Sequence, residues 1–523
     1  MSASGSNSGP GTADIELSTF TSFQQTLHYD SEVYAPFSRP GSSGVSDKSS
    51  WNTPNYDQLR SGSNSDGEMI YHVNKMYDFL GKINYDQILP EISVLPKYRA
   101  NTRICWPSNL PHMICYEASL KVNDKIVQSF TTESFDAHYQ MFCTDKASYN
   151  MCVGNIEILN QWTDHLPTFP ICWEMPWFCG TSESYSIPIT LCREASWTFN
   201  LHIRTNIESL LRIQRLDKNG VWKSVKFHSR WFIQCEQGKN VTVRPPRLFG
   251  SYAKIPSVEK MFMHVKTPWN GKMHLHDYMT ISSDNPQTLG EKVALELPCP
   301  WPVTDIFIVS ENVTATKYNN TTNRGTHPTN GVWSPFKNVI MSYGGSQKFS
   351  LPHYHLERGA LRNMYPGKPT EPGFLVYPLC VNPATTEVSA GRTLSLHKAT
   401  MSVELGDTNP LARDITKVVN NSDDDVISSD DENEAQSSEA STKGYPGEKE
   451  VRESKFRVHV LLRHTRELVF IKDKAGFYTN CQVTQQPQID NVGTDLMEQI
   501  NKTAYSEMAE HRKTAQLNTA FEL

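Results

Sequence analysis

The chain has 523 residues, of which 38% are hydrophobic and 20% are charged, and its formal net charge is -6. Its 22 phenylalanines, 21 tyrosines and 11 tryptophans exclude a mostly disordered chain, because they supply the large apolar side chains that folded cores need. With 50 basic against 56 acidic residues there is no overall positive field, so we expect no direct specific nucleic-acid binding.

Neither a membrane-spanning segment nor a secretory signal is predicted. No apolar run reaches the roughly 18 residues that a spanning helix needs. The Ser- and Gly-rich start of the chain shows no basic region followed by an apolar stretch. The 11 cysteines contain no Cys-x-x-Cys pair, so we expect mostly buried thiols in a reducing compartment rather than a disulfide framework or a zinc site.

Residues 1–66 are rich in Ser, Gly, Asn and Pro, a composition typical of a flexible arm. Several aromatic residues interrupt this composition. The arm could therefore stay disordered or lie along a neighbouring subunit, and the sequence leaves both alternatives open.

From residue 67 onward, apolar and polar residues alternate with period two. The alternation is clear at 197–203, 401–405 and 456–462, and turn pairs such as Asn270-Gly271 separate such runs. Successive side chains of a strand point to opposite faces, so each run predicts a strand with one face in a core. Long helical patterns are nearly absent, and the pattern indicates an all-β protein.

The β region divides into two halves of similar length. A Pro-Pro pair at residues 245 and 246 lies near its midpoint, which predicts a first domain over 67–250 and a second over 251–481. Each half, at about 190 residues without its insertions, is long enough to fold as an eight-stranded antiparallel sandwich with its own core.

An acidic insertion is predicted at 420–454. Between Ser422 and Ala440 there are eight acidic residues and no basic one, so repulsion between like charges should keep this stretch solvated. The strand pattern resumes at Lys455, which makes the insertion a loop between two strands of the second domain.

The last part of the chain, 482–523, changes period. Apolar residues recur every three or four positions, which predicts an amphipathic C-terminal helix. Such a helix could pack on its own domain or dock on another subunit, and the sequence does not distinguish the two.

Motifs for catalysis and cofactor binding are missing from the sequence, so no enzymatic activity and no cofactor are predicted. His353, His355 and Glu357 are weak candidates for a metal site, because on a strand the three side chains would share one face. His274 and His276 form a second pair of this kind. A chain with 17 histidines contains such pairs by chance, so ordinary polar or turn residues are the preferred interpretation.

Two kinds of covalent modification are conceivable. The sequons at Asn312, Asn319 and Asn320 lie in a turn-rich segment and are the ones expected to be exposed, although without a secretory signal most sequons should stay unmodified. Serines that precede acidic residues match an acid-directed kinase. The candidate phosphorylation sites are Ser422, Ser428 and Ser429.

Five blocks of the sequence carry a further signal, and they lie at 113–142, 170–205, 293–309, 373–405 and 455–478. In this order they resemble the major capsid proteins of nucleocytoplasmic large DNA viruses. The resemblance covers roughly residues 70–480.

This resemblance implies two tandem jelly rolls in one chain, a double jelly roll. It implies homotrimeric, pseudo-hexagonal capsomers that tile an icosahedral shell around a DNA genome, and a location in the virion after assembly in the host cytoplasm or a viral factory. The implied partners are copies of the chain, neighbouring capsomers, minor capsid or cement proteins, penton proteins and inner viral membrane proteins. Loop aromatic residues would suit the contacts between copies, although burial in their own domain is the simpler role. The residues in question are Trp162, Trp173, Trp177, Trp269, Trp333 and Tyr343.

Two alternatives stay open at this point. A penton or minor capsid component generally has a single jelly roll, which two β halves disfavour. A metal-binding β-sandwich enzyme or carbohydrate-binding module would use one of the His-x-His pairs.

Overall fold

The computed structural model describes most of the β region. No helix within this described part is long and apolar enough to cross a membrane. Most of the predicted arm, nearly all of the acidic insertion with its three candidate serines, and the predicted C-terminal helix lie outside the described residues. The described residues are 55–63, 67–181, 185–232, 245–255, 260, 264, 271–320, 324–325, 334–343, 346–358, 364–367, 369, 371–380, 394–395, 399–406 and 454–484.

The first half of the chain forms two facing antiparallel sheets. When its eight main strands (β1, β3, β4, β7, β8, β10, β12 and β15) are counted from 1 to 8, one sheet has the order 1-8-3-6 and the other 2-7-4-5. Short strands extend these sheets or form small ones beside them. The strands are β1 Asn55–Gln58, β2 Arg60–Ser63, β3 Glu68–His72, β4 Phe79–Leu89, β5 Ile92–Ser93, β6 Thr102–Cys105, β7 Cys115–Val122, β8 Lys125–Thr131, β9 His165–Leu166, β10 Phe169–Glu174, β11 Ile187–Pro188, β12 Trp197–Ile203, β13 Arg212–Leu216, β14 Trp222–Val225 and β15 Arg247–Ala253.

The second half repeats this arrangement. Its main strands, β16, β18, β19, β20, β21, β22, β24 and β25, again give sheets of order 1-8-3-6 and 2-7-4-5. The repeated order confirms the prediction of two tandem antiparallel sandwiches. The strands are β16 Lys272–Ser282, β17 Gln287–Thr288, β18 Lys292–Leu297, β19 Pro302–Asn312, β20 Phe336–Tyr343, β21 Ser346–Pro352, β22 Phe374–Pro378, β23 Leu394–Ser395, β24 Ala399–Leu405, β25 Lys455–Lys472 and β26 Tyr478–Val483.

Helices occupy connections between strands, and the two longest interrupt a region for which no helix was predicted. The second of them, α3, is capped by Asp145, which accepts a hydrogen bond from the Ser148 amide at 3.1 Å, and it ends at Gly154 with a positive φ of 78°. The α-helices are α1 Leu110–Ile114, α2 Thr132–Phe142, α3 Lys146–Val153, α4 Glu157–Asn160, α5 Phe178–Thr181, α6 Val313–Thr316 and α7 His353–Arg358. The 3-10 helices are Pro96–Tyr98, Ile189–Cys192, Ile207–Leu210 and Ser229–Trp231.

The prediction of a flexible arm is wrong for residues 55–63, which form β1 and β2. The β1 strand pairs with β15 and the β2 strand with β3, while Leu59 between them is buried. A Ser- and Gly-rich composition indicates that the side chains are too small and polar to build a core. It does not prevent the backbone from completing the hydrogen bonds of a sheet edge.

The predicted domain limits fall slightly short of the strands. Strand β15 belongs to the first half and continues to Ala253, so the expected limit at residue 250 lies inside it, and β26 ends at Val483, two residues past the expected limit at 481. The Pro-Pro pair marks the loop before the last strand of the first half. Proline is common in loops, at strand ends and in edge strands throughout a chain, so it does not identify a domain boundary.

Two central strands of the second half are buried on both faces. Strand β18 alternates between exposed and buried residues, whereas β19 and β25 are buried along most of their length. Adjacent residues of β25 lie in different cores: Leu462 packs inside the second sandwich and Leu461 packs in the core that continues into the first half. The two halves therefore bury their sides against each other.

Candidate functional site

The predicted metal candidates do not lie on a strand. His353, His355 and Glu357 are in helix α7, where the His353 Nε2 and Glu357 Oε2 atoms are 3.9 Å apart and His355 is exposed on another side. The strand geometry expected for them is therefore wrong, since residues two apart on a helix point in nearly opposite directions. In the part of the chain that the structure describes, no group of three or more His, Cys, Asp or Glu residues could hold a metal ion.

The expectation that Asn312 is exposed is also wrong. Its side chain is 1% exposed, its Oδ1 accepts the Ala315 amide at 3.0 Å as the N-cap of α6, and its Nδ2 donates to the Gly325 carbonyl at 3.0 Å. A glycan would have to replace that donor. The Nδ2 of half-buried Asn319 donates to carbonyls of the first half, and Asn320 is half-buried. Sequence cannot reveal this use of asparagine, because capping and exposed asparagines both occur in turns.

Replacing Asn312 with alanine should lower the free energy of unfolding by about 1–2 kcal/mol, because the helix loses its cap and the buried Gly325 carbonyl loses its donor. Chemical denaturation measures this loss. The matched variant Asn320→Ala, in the neighbouring sequon, should change stability by less than about 0.5 kcal/mol. Equal losses in the two variants would contradict the structural role assigned to Asn312.

The loop aromatic residues that the structure describes divide into two groups. Trp173 and Trp177 are fully buried in the core of their own half, where Trp173 stacks edge-on against Phe135 at 4.8 Å between ring centroids. Trp162 and Tyr343 are half-buried. Trp269 and Trp333 lie outside the described residues. Burial in the same domain thus accounts for two of the six.

A set of buried polar contacts lies at the junction between the two halves, where helix α2 contacts the second half. Asp136 of α2 binds the Arg324 guanidinium and accepts a hydrogen bond from His112 Nδ1 at 2.6 Å. Burial opposes ionisation of Asp136, but the Arg324 cation and His112 outweigh it and hold the pKa of Asp136 below its usual value. Asp136 of the first half and Arg324 of the second half thereby hold each other in place.

A second buried ion pair lies inside the second half and faces the same helix. Arg463 Nη1 contacts Asp305 Oδ2 at 3.0 Å, and Asp305 also accepts hydrogen bonds from Thr304 and Tyr365. The Arg463 guanidinium lies 4.7 Å from the ring centroid of Phe142 in α2. Burial alone would lower the pKa of Arg463, but the Asp305 carboxylate raises it. The Arg463 guanidinium therefore keeps its charge in the interior.

Strands β8 and β16 bring a third set of contacts across the junction. Asp277 of β16 accepts the Ser129 amide of β8 at 2.6 Å and lies 2.8 Å from Arg466 Nε. Gln128 of β8 donates to the His276 carbonyl at 3.0 Å. The bonds of Ser129 to Asp277 and of Gln128 to His276 cross the junction and would be lost if the halves separated, so they oppose sliding of one half along the other.

A cleft of about 710 Å³ opens at this junction. Gln128, His138 and Trp177 line it from the first half, while Tyr278 and Arg463 line it from the second. Its lining mixes aromatic side chains with charged ones of both signs, and nothing about it selects a particular ligand.

The sequence pattern did not predict that these residues are buried at the junction. Arg463 occupies a polar position of the alternating run 456–462 and its continuation, where it reads as solvent-facing, and Asp136 lies in a helix that period-two analysis does not detect. A signal did exist: the runs in β19 and β25 carry apolar residues at some polar-face positions, for example Leu461. Such positions are typical of strands covered on both faces.

Glu371 provides a pH-dependent test of the junction. Burial raises the pKa of Glu371 to about 7, and the Asp136 carboxylate acts in the same direction. The cations of Arg324 and Lys146 act in the opposite direction and lower it by less. A carboxyl whose pKa is raised on folding stabilises the protein below the unfolded pKa of 4.5, and this contribution is lost as pH rises towards 7. Glu371→Gln should therefore be more stable than the natural chain at pH 8, by about 3 kcal/mol.

Thermal or denaturant unfolding between pH 4 and pH 8 measures the difference. It should disappear near pH 4, where both side chains are neutral. A difference that is constant over this range would show that Glu371 is ionised with its ordinary pKa in the folded protein.

The sequence matches no protein-family model and no curated protein, but the structure resembles solved viral capsid structures. A quasi-atomic model of the PBCV-1 virus capsid aligns with a TM-score of 0.56 and 10% identity, covering 83% of this chain and 96% of that one. The Faustovirus major capsid protein aligns with a TM-score of 0.56 and 8% identity, covering 82% and 92%. Each half also has the 1-8-3-6 and 2-7-4-5 sheet orders that define a jelly roll.

The chain has the double jelly-roll fold. At 8–10% identity the likeness concerns the fold. The polar contacts that join the two jelly rolls belong to this chain's own residues. The double jelly roll agrees with the fold that the five sequence blocks implied, and it assigns the buried network around Asp136, Asp277 and Arg463 to the seam between the two rolls.

Proposed function

We propose that this chain is a major capsid protein whose copies form homotrimeric, pseudo-hexagonal capsomers that tile an icosahedral shell around a DNA genome. The repetition of one sheet order in both halves carries this proposal. Three copies contain six similar jelly rolls, so a trimer with true threefold symmetry presents an outline close to sixfold. A sixfold outline lets tiles meet neighbours on all sides. The capsid structures that share the fold support the same role.

The buried seam supports a mechanical role for the single chain. A tile must keep its outline while its edges meet other copies. The Asp136–Arg324 contact and the stacking of Arg463 on Phe142 hold the two jelly rolls in one orientation. Removing either partner of such a buried pair is costly, which penalises alternative orientations. The function that follows is structural, and no catalysed reaction is proposed.

The proposed partners follow from this role. They are other copies in the trimer, neighbouring capsomers, minor capsid or cement proteins, penton proteins and, on the inner side, viral membrane proteins. The proposed location is the virion, with assembly in the host cytoplasm or a viral factory. Contacts within the trimer should bury more than about 2,000 Å² per pair, as expected for obligate interfaces.

The mass of the purified protein in solution tests the proposal. Light scattering should give a stable species of about 178 kDa, three copies of the 59.3 kDa chain. A variant that lacks residues 422–450 should give the same oligomer, because the acidic insertion is proposed to lie outside the trimer contacts. A persistent monomer would contradict the proposal, and a five-copy species would indicate a penton component instead.

A further inference from the structure

One half-buried sheet face of the first jelly roll carries stacked arginine and tryptophan side chains. The small sheet β14-β13-β6 buries Ile104 and Ile213 on one face. Its other face is reachable by solvent, and Trp162, which follows α4, lies over it. We call the five residues on that side the Arg–Trp face. They are Arg103, Trp162, Arg212, Gln214 and Trp222.

The side chains of the Arg–Trp face are held in a fixed stack. The Arg103 guanidinium lies 4.2 Å from the ring centroid of Trp222 and 5.3 Å from that of Trp162, and Arg212 lies 5.3 Å from Trp162. Arg103 Nε and Nη2 both donate to Gln214 Oε1, at 2.9 and 2.7 Å. These contacts pre-organise the guanidinium groups, so little side-chain entropy would be lost when a ligand binds.

This face has positive charge that is not balanced nearby. Among the described residues, neither Arg103 nor Arg212 contacts a carboxylate, in contrast to Lys223, which pairs with Asp217 at 3.3 Å. Burial lowers the pKa of Arg103, as expected for a cation that has lost water without gaining an anion.

The Arg–Trp face lies at the end of the molecule from which the acidic insertion emerges. Consecutive jelly-roll strands run in opposite directions, so the connections from strand 3 to 4 and from strand 7 to 8 lie at one end of each roll. In the first roll these connections contain β6, β13 and β14. In the second roll they are 313–335 and 406–454. The two ends are in contact, because Asn319 Nδ2 donates to the Ser209 carbonyl at 2.7 Å.

The structure also shows where the insertion leaves and rejoins the second roll. The Gly406 amide donates to the Pro335 carbonyl at 2.9 Å, and the Lys455 amide donates to Thr314 Oγ1 at 3.2 Å. Ser422 follows Gly406 by 16 residues, a length of chain that can extend roughly 50 Å. The eight acidic residues that begin just after Ser422 therefore have a reach of that order from Gly406 over this end of the molecule.

We propose that the acidic stretch 422–440 binds the Arg–Trp face of its own chain. Eight carboxylates without a single cation complement a surface of fixed guanidinium groups without a carboxylate. Carboxylates bind guanidinium groups through paired hydrogen bonds. Attachment to the same chain gives the stretch a high effective concentration at the face, which favours it over a free anion.

Cleavage of the full-length chain by a glutamate-specific protease tests the proposal, since Glu432, Glu434 and Glu439 lie in the acidic stretch. Rates are normalised to a free peptide of residues 422–440 at each salt concentration. At 20 mM salt the double variant Arg103→Gln/Arg212→Gln should be cleaved about tenfold faster than the natural chain. At 500 mM salt the two rates should converge, because salt screens charges beyond a few Å.

A matched variant removes the same charge elsewhere. Lys125→Gln/Lys474→Gln replaces two exposed lysines away from this face and should be cleaved at the natural rate. A reciprocal measurement avoids changing the face: when all eight acids are replaced by amides, phenylglyoxal should modify Arg103 and Arg212 about tenfold faster. Equal cleavage of all chains, or unchanged arginine reactivity, would overturn the proposal. Protection that grows with protein concentration would overturn the same-chain assignment in favour of a second copy.

Discussion

Replacing Arg463 with methionine is expected to lower the free energy of unfolding by about 3–5 kcal/mol. The change leaves the Asp305 carboxylate, which is 0% exposed, without its cation, and it also removes the guanidinium stacked on Phe142. Thr304 and Tyr365 still donate to Asp305, but two neutral donors do not replace a positive charge in the interior. Denaturant unfolding at pH 7 measures the loss.

Two further variants test the origin of this loss. Arg457 lies on the same strand and pairs with Glu311 at 3.1 Å, but its side chain is 35% exposed, so Arg457→Met should cost less than about 1 kcal/mol. The double variant Asp305→Leu/Arg463→Met removes both buried charges and should be more stable than Arg463→Met alone. Additive losses in the double variant would show that the pair is not the source of the effect.

Acidification from pH 7 to pH 5 is expected to destabilise the protein through two buried neutral imidazoles. Burial, with the nearby Arg463 cation acting in the same direction, lowers the pKa of His138 to about 3. Burial also lowers the pKa of His464 to about 4, with Arg466 acting in the same direction and Asp277 against it.

The sign follows from proton binding. The unfolded chain binds protons at these histidines below about pH 6.5 and the folded chain does not, so their contribution is complete above pH 6.5 and is lost as pH falls. At pH 5 each histidine should account for about 2 kcal/mol. Glu371 acts in the opposite direction over pH 4.5–7, so the comparison is best made with Glu371→Gln as the parent chain.

In that parent, His138→Gln and His464→Gln should each remove about half of the loss between pH 7 and pH 5, as measured by denaturant unfolding at both pH values. His355→Gln, which changes an exposed imidazole on α7, should leave the loss unchanged. Identical pH dependence in all four chains would mean that both buried histidines take up protons in the folded state.

The alternation of side chains was sufficient to predict the sandwiches. In β18 the three large apolar residues are buried and both charged residues are exposed, and β24 follows nearly the same alternation. This works because a strand with one face in a core and the other in water needs two chemically different faces. The order of such runs, together with the five sequence blocks, was also sufficient to predict the double jelly roll.

Predictions from local sequence were wrong at positions where a residue distant in sequence but close in space determines the conformation. The same short sequence around His353 can form a strand or a helix, and the structure has a helix. Asn312 caps α6 because the Gly325 carbonyl lies beside it, which no turn signal reveals. Residues 55–63 became strands because sheet edges were available to their backbone.

The amino-acid pattern by itself determined that this protein has two tandem β halves and that an acidic stretch interrupts the second half. Only the tertiary structure decided what covers the second face of β25 and which charges are buried there. The physical reason is that alternation reports that two faces differ. It does not report whether the polar face meets water or, as at Arg463, a helix of the other half.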